Sequence, residues 1–326
     1  MALVQSRPPP SIAQETMREL HGRTFSSINK GRSKMHDTYM LPTDDKEFDR
    51  LSLQHFMLRT LVGGLLPLPE DVVDGLLARD DAAVLDVGSG SGHWAVDIAQ
   101  QYSHVRVVGF DLVPARPAST PDNCTFVQGD AQRDLAPHAG KFDIVHCRAM
   151  ATGSIDFAHV VREMTRCLRP GGLLMLAGGD LGLYTTGGAR AQGTDSHFAR
   201  LLLQVRAADE RRGVRARSSE FATFLAAQHG VSKPPSYRAF YCPIGWSGDG
   251  DLAREDGEFL GAMMLRNAQT FAPAWRPLLL SQGHPRSSVE EWIRRAEDEL
   301  RAPASKKLYT KWHYSWVYKD GSDKDT

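Results

Sequence analysis

The stretch Asp86-Val-Gly-Ser-Gly-Ser-Gly-His93 places a carboxylate at the end of a hydrophobic run and follows it with three glycines at alternate positions. Glycine at 88, 90 and 92 lets a backbone turn sharply and approach a ligand where any Cβ would collide, so a cofactor is expected on this loop. The spacing narrows the choice. A dinucleotide fingerprint needs Gly-x-Gly-x-x-Gly, and its third glycine would fall at His93, which disfavours NAD. A phosphate-cradling loop ends in Gly-Lys-Ser/Thr, whereas Gly140-Lys141 is followed by Phe142 and stands elsewhere, which disfavours a nucleoside triphosphate. Asp111, with Leu112 beside it, closes the next strand and can accept hydrogen bonds from both hydroxyls of a ribose. The competing reading is a carboxylate that caps a turn before Pro114. Gly129-Asp130-Ala131 follows the third strand and offers an acidic side chain with a backbone N–H, or else a plain surface turn. His146 and Arg148 end the fourth strand, and a histidine titrates in the range useful to a general base.

These side chains need a scaffold that brings them to one edge. Strands expected over 84–87, 105–110, 125–128, 142–147 and 173–177 alternate with helices opening at His93 and Asp156, which predicts an α/β doubly wound, mostly parallel sheet. Ligands of such sheets lie beyond the carboxyl ends of the strands. Upstream, Asp44 and Glu47 are spaced as a capping pair, and Phe48, Leu51, Leu58 and Val62 form the apolar stripe of a helix ended by Pro67 and Pro69. Glu47, Arg50 and Gln54 lie on another face of that helix, meeting either solvent or a pocket. Beyond Asp180 come a loop over 184–190, helices near 198–209, 255–271 and 288–300, and strands over 237–242 and 311–319. The resulting division is a mobile tail at 1–36 with one short helix, a helical cap at 37–80, a cofactor core at 81–180, and substrate-lid helices with the final strands at 181–326.

Composition sets outer bounds. Thirty-nine Lys and Arg balance thirty-nine Asp and Glu, so nothing global points to nucleic acid or an anionic membrane. The run through Arg211, Arg212, Arg215 and Arg217 reads as a solvated helix end, and the aromatic basic segment 306–319 as a strand with one buried face. The four cysteines form no Cys-x-x-Cys pair, so no zinc site or disulfide is expected and a reduced, cytoplasmic or nuclear, setting fits. No signal core and no bilayer-length apolar run is present, so no membrane association is expected.

The glycine loop resembles motif I of the class I S-adenosylmethionine (SAM) methyltransferases. Three further segments resemble the LaeA-like branch of fungal secondary metabolism: Tyr39-Met-Leu-Pro-Thr-Asp44 with Glu47, Arg50, Gln54 and His55; His146-Cys-Arg148 with Gly153-Ser-Ile155; and Cys242-Pro-Ile-Gly-Trp246. The resemblance covers residues 39 to 319. It implies a seven-stranded Rossmann-like sheet, SAM held by Asp86, Gly88, Gly90, Gly92, Asp111, Leu112, Asp130, Ala131, His146 and Arg148, and Tyr39 and Gln54 closing over it. It also implies methyl transfer to oxygen or nitrogen of a small natural product, with His146 as candidate base, pocket wall or structural residue. The alternative is a regulator of secondary metabolism that acts through protein partners, reached by the N-terminal tail, or through protein methylation. One departure stands out. Where the family often carries an aromatic residue and a glutamate after the fifth-strand Pro-Gly-Gly, this chain runs Leu173-Leu-Met-Leu-Ala-Gly-Gly-Asp180, and Asp180 is the carboxylate that could stand in.

Overall fold

The computed structural model describes residues 17–20, 23–26, 40–113, 115, 117–151, 154, 156–252 and 254–321. Met17–Leu20 (β1) and Arg23–Ser26 (β2) pair antiparallel in a small ribbon, where a short helix was expected. The ribbon is docked rather than free: Phe25 is fully buried, Arg23 forks onto Asp44, and the Thr43 N–H donates to the Thr24 carbonyl.

Asp44 then caps α1 (Asp45–Val62), accepting the Glu47 N–H on Oδ1 at 3.1 Å. The Glu47 side chain does not complete the reciprocal box; it turns to Arg50 instead. Gly63 ends this helix in the left-handed region, four residues before the expected stop at Pro67. A short α2 (Glu70–Leu76) follows. The buried face of α1 is Glu47, Arg50, Gln54, His55, Met57, Leu58 and Leu61, so Leu58 alone of the expected apolar stripe is fully buried.

From there β3 (Ala83–Val87), α3 (His93–Gln101), β4 (Arg106–Asp111), β5 (Cys124–Gln128), β6 (Phe142–Arg148), α4 (Phe157–Cys167) and β7 (Leu168–Tyr184) build the parallel part of a sheet. It is completed by α5 (His197–Arg211), α6 (Phe221–Ala226), β8 (Ser236–Pro243), α7 (Gly257–Ala274), α8 (Arg276–Ser281), α9 (Arg286–Leu300) and β9 (Tyr309–Tyr318). The seven-stranded order is β5-β4-β3-β6-β7-β9-β8, with β9 antiparallel to both neighbours. This is the Rossmann-like class I methyltransferase sheet. β3 is buried at all five positions, as a central strand covered on both faces must be. On β7 the faces alternate: Leu173, Met175 and Ala177 join the core under α1, α5 and α7, while Leu174 and Leu176 join the core under α4 and α6.

β7 runs seven residues past the expected end at Ala177. Gly178 does not terminate it; a Cβ there would stand 2.5 Å from Ser218 Oγ, so the glycine marks close packing of the segment before α6 against the strand. Among the described residues no helix is long and apolar enough to cross a membrane.

Candidate active site

The β3–β4 crossing creates the site's first half. The loop after β3 carries positive φ at Gly88 (+75°), Gly90 (+54°) and Gly92 (+82°), a conformation that L side chains rarely adopt. At Gly92 a Cβ would also fall 2.7 Å from the Phe126 ring, so the loop lies flat on β5, and the Gly88 and Ser89 N–H groups hold it there by donating to the Phe110 carbonyl. Asp111, at the end of β4, ties this loop down: Oδ2 accepts the Gly90 N–H at 2.8 Å and Oδ1 the Val113 N–H at 3.0 Å. Each oxygen keeps a lone pair for a ribose hydroxyl. Burial raises the Asp111 carboxyl to about 6, against the pull of those two N–H donors. Asp130 accepts the Gln132 N–H at 2.9 Å, and its own N–H donates to Asp134.

Register explains His146. Asp86 and His146 are Cα partners on β3 and β6, and the ring's Nδ1 stands 2.8 Å from Asp86 Oδ1. The ring stacks on Trp94 at 3.8 Å between centroids and is 1% exposed. Burial pushes its pKa down and outweighs the raising effect of Asp86, so the imidazole is neutral near pH 7 with its proton on Nδ1. Nε2 has no hydrogen-bond partner among the described residues. Two strand positions on, Arg148 donates to His55 Nδ1 at 3.1 Å. A guanidinium only donates, so His55 carries its proton on Nε2 and gives it to Asp97 at 3.0 Å, in keeping with a pKa lowered chiefly by burial. Asp97 on α3 was not among the expected site residues; His55 at helical spacing from the polar face of α1 was the available signal.

One cavity of about 250 Å³ joins these groups. Gln54, Asp86, Gly88, Gly90, Asp111, Leu112, Asp130, Ala131, His146 and Arg148 all line it, whereas Gly92 lies behind the loop; Tyr39, Gly153 and Ile155 are outside the described residues. Beyond Asp86 the same cavity continues between β7, β9 and the helices, walled by Phe198, Leu202, Met264, Phe271, Trp275 and Trp312. Arg50 also reaches it, but Glu47 grips the guanidinium at 2.6–3.1 Å, Asn267 accepts at 3.0 Å, and the Phe271 ring lies 5.2 Å away. The polar face of α1 therefore meets the pocket, not solvent.

A glycine cradle, a carboxylate placed for a diol and a carboxylate below the loop fit a nucleoside carrying a positive charge, and SAM is such a molecule. Residues 84–172 match the family model described as a methyltransferase domain. The chain is a SAM-dependent methyltransferase. It is 29% identical over 255 residues to the methyltransferase pytC of Aspergillus terreus, covering 77% of this chain and 73% of that one. It is 32% identical over 171 residues to the secondary metabolism regulator laeA of Coprinopsis cinerea, covering 51% of this methyltransferase but only 40% of the regulator. The solved YcgJ protein from Bacillus subtilis covers 77% of it at 18% identity and a TM-score of 0.43, with 98% of that chain covered. Among the described residues no group of three or more His, Cys, Asp or Glu side chains is placed to hold a metal.

Proposed function

We propose that this methyltransferase moves a methyl group from SAM to an oxygen or nitrogen of an apolar small-molecule natural product in fungal secondary metabolism. The observation that carries this reading is the second half of the cavity, a chamber walled by aromatic and aliphatic side chains and continuous with the glycine loop. SAM brings a methyl on a sulfonium, primed for displacement. In this reading Asp111 takes the ribose, Asp130 and Ala131 the adenine, and Asp86, Gln54, His146 and Arg148 surround the methionine portion. The cap at 37–80 and the lid at 181–326 then hold the acceptor in line, where positioning alone supplies much of the acceleration. A reduced cytoplasmic or nuclear setting accommodates four buried free cysteines. Likeness to the methyltransferase pytC over about three-quarters of both chains supports the methyl transfer.

A regulatory reading, in the LaeA-like branch and through protein partners or protein methylation, is supported by the 32% identity to laeA. The two separate in one assay. Purified protein is incubated with methyl-labelled SAM and an extract of the source organism, and label is followed into small molecules and into protein. Label in a discrete small molecule is expected; label confined to protein transfers the case to the regulator.

A further inference from the structure

We propose that Asp180 is the catalytic base of the transfer, and that the acceptor is a neutral, apolar molecule presenting a weakly acidic aromatic or enolic hydroxyl. The proposal rests on the small-molecule reading above and adds the group that receives the proton.

Asp180 lies on the part of β7 that extends past its pairing with β6, at the carboxyl edge of the sheet, and lines the cavity beside Leu181, Thr310 and Trp312. Its side chain is only 5% exposed. One oxygen is already engaged: Oδ2 accepts the Tyr184 hydroxyl at 2.5 Å, and Arg190 Nη1 stands 3.8 Å from it. The Tyr184 phenol is pushed well up, first by burial and then by this bond, so it stays a donor and orients the carboxylate without taking its place. Oδ1 makes no hydrogen bond to the described residues and is not among their buried, unsatisfied atoms, which leaves it facing the chamber.

The Trp275 and Trp312 indole N–H groups have no partner among the described residues, but the charged and titratable groups around them are committed. Arg50 is bound by Glu47 and Asn267, Arg212 pairs with Asp209 at 3.4 Å, and His146 is sealed against Asp86 and Trp94. A chamber whose charges are matched internally admits an acceptor in its uncharged form. An uncharged hydroxyl is a weak nucleophile until its proton has somewhere to go. In the step proposed, the acceptor oxygen forms a bond to the methyl carbon while the carbon–sulfur bond breaks and its electron pair passes to sulfur. The hydroxyl proton moves to Asp180 Oδ1. The products are a methyl ether, S-adenosylhomocysteine and a protonated carboxyl, which returns its proton to water.

The test uses the full chain, labelled SAM and a panel of apolar phenols graded in acidity from 2-naphthol to 4-nitrophenol. Wild-type protein is expected to methylate the panel. Asp180→Asn should lose ~100-fold or more in kcat on 2-naphthol and less than tenfold on 4-nitrophenol, whose much more acidic hydroxyl gives up its proton with less help from a base. Calorimetric binding of S-adenosylhomocysteine should be the same for both proteins. Tyr184→Phe should lower kcat on 2-naphthol without changing KM. Equal losses of Asp180→Asn across the panel overturn the base assignment. A wild-type protein that binds S-adenosylhomocysteine but methylates no phenol overturns the hydroxyl acceptor, and one that does not bind it overturns the underlying reading of the site.

Discussion

The two ends of the cavity recognise by different physics. At the glycine-loop end the polar lining is the loop backbone and carboxylates, and Asp111 keeps a charge only partly offset by two hydrogen bonds. At the far end the walls are rings and aliphatic chains, and the arginines that reach it are already matched: Arg50 to Glu47 and Asn267, Arg212 to Asp209. A cofactor of fixed structure is suited to a few directed polar contacts at a rigid strand edge. An apolar acceptor is suited to shape and to the absence of free charge. Asp180 apart, charge therefore serves binding at one end and architecture at the other, and each prediction below attacks one side of that contrast.

The largest effect is expected where charge is architectural. Glu47 and Arg50 are 1% and 4% exposed, so Glu47→Ala would leave a buried guanidinium with only Asn267 to face. Breaking a buried pair by removing one partner costs ~3–5 kcal/mol, which a denaturant titration reads directly. Replacing both, as Glu47→Leu with Arg50→Leu, should recover most of that loss. If Glu47→Ala unfolds no more easily than its parent, Arg50 is not sealed and the acceptor chamber is a charged one.

This pair also shows where the sequence stops being legible. Its polar face was visible from helical spacing, but solvent and pocket remained equal choices because the partner that decides, Asn267, is 217 residues away. Gly63 ended α1 before the prolines could, since the left-handed turn it permits acts one residue after Val62. β7 was read as stopping at Ala177 because two glycines weaken any strand pattern, whereas Gly178 is there to admit Ser218 and Phe221. The cofactor end was easier. Its strands are short runs, buried throughout in β3 and nearly so in β6, with Asp111 and His146 at or near strand ends and Gly88 and Asp130 in the turns that follow, so local pattern alone put these residues at one edge. What local pattern could not give was the pairing inside the edge, such as Asp86 with His146 across two strands.

At that end the second prediction applies. Asp111→Ala removes both the tie to Gly90 and the acceptor for a ribose diol. Hydrogen bonds to a charged group contribute ~1.5–3 kcal/mol each, so S-adenosylhomocysteine affinity should fall by ~100-fold or more in calorimetry. Unchanged affinity would remove Asp111 from the cofactor site and leave the loop glycines to act through backbone alone.

The smallest effect is the most specific. Desolvation raises Asp111 to about 6 from 3.8, so ionisation opposes the folded, empty protein. The stabilising protonated form is complete below 3.8 and is lost as pH rises through about 6; at neutral pH the buried charge costs ~3 kcal/mol. A ribose diol donates to the ionised form, so binding must expel the proton from any protein that still holds it. Affinity for S-adenosylhomocysteine should therefore strengthen about tenfold between pH 5 and pH 7 and level off above. Asp209 is also raised to about 6 by its own burial, but it sits with Arg212 at the acceptor end. Asp111→Asn separates the two, since it should flatten the curve only if the titrating group is the one beneath the ribose. A curve that persists in Asp111→Asn would place the pH-sensitive charge at the acceptor end, and charge would then no longer divide the two halves of the cavity by role.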